Sequence, residues 1–211
     1  GNIQTMMEHC QHTGQKLRPH AKSHKSSLLA KKQIEAGAVG ICCATLREAE
    51  AMTANGLKNV LLTSPIAGLP KVKRLIELNR QNSYILAVVD DPSTVTLISE
   101  TQQQTSPDKQ LGLLVDLDIG THRTGTANVE EARALALLIT QSKNLVFRGI
   151  QAYAGHLQHI ENYSERLEAM STQAVLLTKL VADLKAEGIT PEIVTGGGTG
   201  TYDIDHRFDV F

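Results

Sequence analysis

Between Leu17 and Lys25 the chain packs two lysines, two histidines and an arginine beside a proline, in the order Leu17-Arg18-Pro19-His20-Ala21-Lys22-Ser23-His24-Lys25. A solvated helix face would space its charges differently, and a nucleic-acid tail would not need the histidines. Proline fixes its own φ and biases its predecessor toward extended backbone. The segment therefore reads as a strand end that aims Lys22 in a fixed direction. If that end is desolvated and flanked by Arg18, Lys25 and cationic His20 or His24, the neutral amine is favoured and becomes a nucleophile able to form a Schiff base. The alternative is a pair of solvated lysines around a turn, which is where most lysines sit.

Three further stretches carry chemistry. Thr195-Gly196-Gly197-Gly198-Thr199-Gly200-Thr201 is rich in glycine, which lets backbone N–H groups approach an anion, and its threonines add hydroxyl donors. It lies too late in the chain for a dinucleotide fingerprint, so a phosphate cradle is favoured over both that and a flexible linker. Asp116-Leu117-Asp118-Ile119-Gly120-Thr121-His122-Arg123-Thr124-Gly125 ends a strand in carboxylates and then presents Arg123, whose planar fork suits a carboxylate or a cofactor oxygen. Taken alone, an Asp118–Arg123 pair that merely shapes the loop is the simpler account. Gln151-Ala152-Tyr153-Ala154-Gly155-His156-Leu157-Gln158-His159 sets Gln151 and Tyr153 on one face of a strand. His156 with His159, or His20 with His24, could bind metal. No carboxylate or cysteine completes a ligand set at a recognised spacing, so one histidine acting as a general base is the better reading.

These residues need elements to hold them. Strand candidates are Val39–Cys43, Val60–Leu62, Ile85–Val89, Leu111–Leu117, Phe147–Tyr153 and Ile193–Val194, together with the strand entering Lys22. All are continuous apolar runs, as in strands buried on both faces. Helices between them open at Thr45 with Glu48, at Asp91-Pro92, at Asn128 with Glu131 and near Asn162; another runs from about Ser26 to Gly37. Alternating strand and helix means parallel βα units. Lys22, Ser64, Asp90, Asp118, Tyr153 and Thr195 all fall at C-terminal strand ends, and residues from so many strands converge only if the sheet closes. The fold expected is an α/β, TIM-type (β/α)8 barrel. Asn2–His12 reads as a helix already under way and Asp209-Val210-Phe211 as a strand just beginning, so the barrel is expected to be incomplete at both ends. One domain, residues 1–211, accounts for the chain.

Composition excludes several classes. A formal net charge of −1 over 211 residues argues against nucleic acid or anionic membrane as the main partner. Hydrophobic residues make up 41% but aromatics only 3%, so the core must be aliphatic. No apolar run approaches the ~18 residues of a membrane span. Three cysteines, two of them adjacent (Cys42 and Cys43), form no disulfide framework and favour a reducing, cytoplasmic setting.

Arg18-Pro19-His20-Ala21-Lys22-Ser23-His24-Lys25 resembles the cofactor-lysine motif of the D-threonine aldolases and eukaryotic-type D-serine dehydratases, fold-type III pyridoxal phosphate (PLP) enzymes related to alanine racemase. The family's usual threonine after the lysine is replaced here by Ser23, which keeps the hydroxyl. The resemblance continues, in the family's order, through Ala44-Thr45-Leu46-Arg47-Glu48-Ala49-Glu50, Asp118-Ile119-Gly120 with Arg123 and Gly125, Gln151-Ala152-Tyr153 and Thr195–Thr201. It implies an alanine racemase N-terminal barrel without the family's C-terminal β domain. It implies that Lys22 holds PLP, that Thr195, Gly197, Gly198 and Thr199 bind its phosphate with Tyr202 nearby, and that Gln151 and Tyr153 lie by the ring with Arg123 at its phenolic edge. His20 would support the lysine or the ring. His156 would be the catalytic base, with His159 the fallback. The reaction implied is retro-aldol cleavage of a β-hydroxy-D-amino acid to glycine and an aldehyde. Dehydration of such a D-amino acid, racemisation, and a non-catalytic PLP-homeostasis barrel are the alternatives, in that order. A divalent metal is implied with ligands beyond residue 211 and none within this chain. A small-molecule D-amino acid is the implied partner, and a homodimer the implied full-length assembly.

Overall fold

Side-chain caps punctuate the chain where the sequence predicts them. The Thr45 hydroxyl accepts the Glu48 N–H at 3.2 Å while the Glu48 carboxylate accepts the Ala44 N–H at 2.8 Å. Asp91 accepts the Thr94 N–H at 3.0 Å, Asn128 the Glu131 N–H at 2.8 Å and Asn162 the Glu165 N–H at 3.1 Å. Each satisfies a donor that the first helical turn leaves orphaned, worth about 1 kcal/mol.

The computed structural model describes residues 1–81 and 84–211. The helices are α1 (Asn2–Thr13), α2 (Ser27–Glu35), α3 (Leu46–Ala54), α4 (Leu69–Gln81), α5 (Pro92–Thr105), α6 (Val129–Gln141), α7 (Tyr163–Ala186) and the short α8 (Tyr202–Asp205). The strands are β1 (Ile41–Cys43), β2 (Val60–Leu62), β3 (Ile85–Val89), β4 (Leu111–Asp116), β5 (Leu145–Ala152) and β6 (Ile193–Gly196). They form one six-stranded sheet in sequential order, every pair parallel. The sheet curls into a half-barrel with the helices outside it.

Alternation along the strands separates two cores. Outward residues such as Ile41, Val60, Leu62, Ala87, Leu113, Val115 and Ile150 pack beneath the helices. Inward residues Cys42, Leu61, Val88 and Leu114 form a second cluster, with Leu86 and Ile193 against it. One step of two residues further along the same inner face, the layer turns polar: Thr63 follows Leu61, Asp90 follows Val88, Asp116 follows Leu114, and Thr195 follows Ile193. Gln151 takes the same step from Gly149, the register partner of Leu114. Gly149 is required by close approach, because a Cβ there would overlap the Ile193 carbonyl.

One bond measures the curl. Gln151 on β5 donates from Nε2 to the Thr63 carbonyl, just past β2, at 3.0 Å. Three strand spacings separate these positions in a flat sheet, about 14 Å, so the side chain must cross the inside of a curved one. Outside the sheet, His9 of α1 meets the Tyr202 carbonyl of α8 at 3.1 Å, joining elements from opposite ends of the chain.

Two expected strands differ. The one entering Lys22 is reduced to a single parallel bridge, His20 to Cys42, after which Ala21–Ser23 close a 3₁₀ turn. Pro19 has no N–H to give a ladder, although its carbonyl still accepts the Cys42 N–H at 2.9 Å. The strand expected to begin at Asp209 is a turn, with the Phe211 N–H donated to the Phe208 carbonyl at 3.2 Å. Phe211 is held instead by its ring, which lies against Gly196.

Candidate functional site

Lys22 projects from the 3₁₀ turn and is exposed. This corrects the expectation of a desolvated, cation-flanked amine. The Arg18 guanidinium points to the other end of the sheet, where it donates to the Asn59 carbonyl and fills the space that Gly40 leaves without a Cβ. Lys25 is engaged by Glu48. Burial works against ionisation of Glu48, but Lys25 and the Ala44 N–H outweigh it and hold that carboxyl below its usual range. His20 is neutral rather than cationic: burial, then the Lys22 charge, pull it down to about 4.

Hydrogen bonding fixes the His20 tautomer. Its Nδ1 accepts the Lys22 backbone N–H at 3.2 Å, so the proton sits on Nε2, which lies 3.1 Å from the Thr63 hydroxyl. The Thr63 hydroxyl in turn donates to the Cys43 carbonyl at 3.2 Å. From Thr63 the belt continues through Gln151 to Asp116 Oδ1 at 2.8 Å, and from Asp116 Oδ2 to the Thr124 hydroxyl at 2.8 Å. Asp90 joins by accepting the Gly125 N–H at 3.0 Å. Two hydrogen-bonded runs, joined covalently through Thr63, thus lead from the Lys22 backbone across the half-barrel mouth to the loop carrying Arg123.

Asp118 shapes that loop, though not through Arg123. Its Oδ1 accepts the N–H groups of Gly120 at 2.8 Å and His122 at 3.1 Å, and its Oδ2 lies 3.0 Å from His122 Nδ1. Arg123 is left to lie over the Tyr153 ring, 6.0 Å from its centroid, at the edge of cation–π range. Gly155 packs under the same ring, where a Cβ would come within 2.6 Å of Cε1. His156 is exposed and sits over Gly120, where a Cβ would stand 3.0 Å from Nε2. His159 is exposed at the end of the 3₁₀ turn Gly155–His159.

The glycine–threonine turn follows β6, and Thr195 is the register partner of Gln151. Gly197 has φ 71°, a left-handed value that glycine permits, and a Cβ there would strike the Asp205 carboxylate beneath it. Two amides that could cradle an anion already have partners: Gly198 N–H donates to Thr201 Oγ1 at 3.1 Å and Gly200 N–H to Gln158 Oε1 at 2.5 Å. Thr199 is exposed, while Thr201 is fully buried and donates to Asp205 Oδ2 at 2.9 Å. Burial raises Asp205 to about 7, against the Thr201 bond and with help from Asp203. Tyr202 turns away from the turn to meet the His9 ring edge-on at 5.0 Å.

Gln151 and Thr195 are therefore register partners in the polar layer, His20 and the Lys22 backbone connect to it through Thr63, Arg123 and Tyr153 pair with one another, and His156 lies over the Gly120 loop. His159 and Tyr202 are not drawn in. Sequence reasoning gave no role to Thr63, Thr124, Gln158 or Asp205, and read Asp116 and Thr201 only as a strand-end carboxylate and a hydroxyl of the glycine–threonine run. The inward alternation Leu61–Thr63 and Leu114–Asp116 could have found two of them; no sequence signal pointed to Gln158. An exposed amine, an arginine–tyrosine pair and a glycine–threonine turn after β6 are groups of the chemistry that a phosphorylated aldehyde such as PLP requires. Among the described residues no three His, Cys, Asp or Glu side chains are placed to share a metal ion, and no helix is long and apolar enough to cross a membrane.

Residues 1–210 match the sequence profile described as "Alanine racemase, N-terminal domain". The chain belongs to that family. It is 33% identical over its whole length to a 3-hydroxy-D-aspartate aldolase of Paracoccus denitrificans (strain Pd 1222), of which it covers 54%. The crystal structure of a D-threonine aldolase from Filomicrobium marinum superposes on all of the chain with a TM-score of 0.95 at 32% identity, and the chain covers 56% of it. A D-threo-3-hydroxyaspartate dehydratase of Delftia sp. (strain HT23) is 27% identical over 99% of the chain, which covers 54% of it. The chain thus spans about half the length of the relatives it matches, and its half-barrel corresponds to their family's N-terminal domain.

Proposed function

We propose that the protein is a PLP-dependent lyase of β-hydroxy-D-amino acids, of the aldolase type, releasing glycine and an aldehyde. The observation that carries this reading is Lys22, exposed on a turn whose backbone is tied through His20 and Thr63 to Gln151, in a chain similar to proteins named as aldolases. Lys22 would hold the cofactor covalently. Thr195, Gly197, Gly198 and Thr199 would take its phosphate, displacing the contacts that Thr201 and Gln158 now make. When bound, the cofactor supplies an electron sink for Cα–Cβ cleavage.

The chain's own residues do the rest. Arg123 and Tyr153 together form one wall of the mouth and orient a planar ring against it. Neutral His20 keeps its Nε2 proton directed at Thr63 and so holds the turn that aims Lys22. His156, exposed over Gly120, is placed to take the proton of a substrate hydroxyl, with His159 the alternative base. A divalent metal, where one is used, is assigned ligands outside these 211 residues, and the working assembly is a homodimer.

Reduction with borohydride in the presence of PLP should fix the label on Lys22. If Lys22→Ala forms the reducible adduct at wild-type level, the central assignment is wrong. The protein should then be given D-threonine and 3-hydroxy-D-aspartate with a divalent metal. Glycine with an aldehyde supports the aldolase; a 2-oxo acid with ammonia means a dehydratase; neither product sinks the lyase reading.

A further inference from the structure

Gln151 is oriented by two fixed acceptors. Its Nε2 carries two hydrogens and both are committed, one to the Thr63 carbonyl at 3.0 Å and one to Asp116 Oδ1 at 2.8 Å. A main-chain carbonyl can only accept, so turning the amide over would set two oxygens against each other. Asp116 is itself locked in place: it is 3% exposed, and its second oxygen accepts the Thr124 hydroxyl at 2.8 Å. Gln151 Oε1, by contrast, accepts no hydrogen bond among the described residues and is not sealed in the interior.

We propose that Asp116 is a positioning residue: with the Thr63 carbonyl it pins the Gln151 amide so that only a carbonyl oxygen faces the ligand, and the site therefore selects a ring that donates a hydrogen bond there. The proposal rests on the cofactor reading above. The phosphate and phenolic oxygens of PLP are acceptors; its protonated ring nitrogen is a donor. An acceptor pinned at Gln151 would favour the protonated form of that nitrogen if the ring bound against it. Asp116 strengthens the effect, because an anionic partner on the amide N–H polarises the amide and makes Oε1 a better acceptor.

The test compares binding of PLP with binding of its 1-deaza analogue, in which a carbon replaces the ring nitrogen, by absorbance titration of the purified protein. Any difference in aldehyde reactivity between the two probes is common to every variant and cancels when their preferences are compared. Wild type should prefer PLP by at least about tenfold, the size of one hydrogen bond to a charged group. Asp116→Asn can still accept from Gln151 and should keep a preference within about threefold of wild type. Asp116→Leu removes one of the two acceptors and leaves only the Thr63 carbonyl, so its preference should fall more than about threefold below wild type while both probes still bind. If that variant does not fold, Asp116→Ala gives the same readout. Uniform weakening of both probes, with the preference intact, would mean that Asp116 is merely structural and would overturn the proposal. Equal binding of both probes by wild type overturns the acceptor assignment while leaving the cofactor reading standing. Failure of wild type to bind either probe overturns the cofactor reading and this proposal with it.

Discussion

Raising the pH should destabilise this protein through Asp205, and Asp205→Asn should remove the effect. Asp205 is 4% exposed, its Oδ2 is held by Thr201 at 2.9 Å, and its Oδ1 is buried without a partner among the described residues. Burial therefore lifts the carboxyl from 3.8 to about 7. Between those values the folded state keeps a proton that the unfolded chain has lost. Unfolding then releases a proton, so stability is full below the unfolded pKa and falls as pH rises through the folded one. The slope is at most ~1.4 kcal/mol per pH unit, and integrating from pH 5 to pH 8 gives a loss of about 2.5 kcal/mol. Asn preserves the acceptor for Thr201 and does not titrate. Urea unfolding of both proteins at pH 5, 6, 7 and 8 should show the variant gaining on wild type by about that amount, or roughly 5–10 °C in midpoint by thermal unfolding. Curves that stay parallel to within about 0.5 kcal/mol would refute the claim that this carboxyl is held protonated.

Two other perturbations follow from the same geometry. Gln158→Ala should bind inorganic phosphate about three- to tenfold more tightly, measured by calorimetry, because it removes an amide oxygen that occupies the Gly200 N–H; unchanged or weaker binding would mean the turn does not take an anion there. Gly149→Ala should cost roughly 2–3 kcal/mol or more in urea unfolding, since its Cβ would overlap the Ile193 carbonyl and force β5 from β6; a cost under about 1 kcal/mol would show that the two strands are looser than the ladder implies.

Much of the fold was legible because each βα unit carries local punctuation. Thr45, Asp91, Asn128 and Asn162 cap their helices at the positions read from the sequence. Val60–Leu62 and Ile85–Val89 are strands over those same bounds. The strand at Lys22 failed because a proline-led segment can look extended yet offer no donor at one position; it pairs once and then turns. Among site residues, glycine, histidine and lysine announce themselves by type. Thr63 could not be found by type, since its carbonyl oxygen makes the bond to Gln151 and every residue has one. Gln158 reaches the glycine turn from 42 residues away in sequence, a pairing that follows from β5 and β6 being parallel neighbours.

The largest difference concerns what makes Lys22 special. A cluster of Arg18, His20, Lys22, His24 and Lys25 suggests that charge repulsion activates the lysine. In the folded chain Arg18 is spent at the far end of the sheet and Lys25 on Glu48. The field between His20 and Lys22 runs the other way: the lysine's charge helps to keep the imidazole neutral. A neutral His20 can accept the Lys22 backbone N–H while donating to Thr63, which a cationic one cannot. The histidine is thus best understood as a strut. It ties the turn that carries Lys22 to the end of β2, and through the Thr63 carbonyl to Gln151 and Asp116. Selection of Lys22 over Lys25, three residues away, then rests on direction rather than on charge. This view separates cleanly from the electrostatic one in a single variant. His20→Asn keeps an acceptor at the Nδ1 position for the Lys22 N–H, so it should retain most adduct formation at Lys22. His20→Leu, which removes both bonds, should lose about tenfold in cofactor affinity. If both variants form the adduct equally well, the strut is not what aims the lysine.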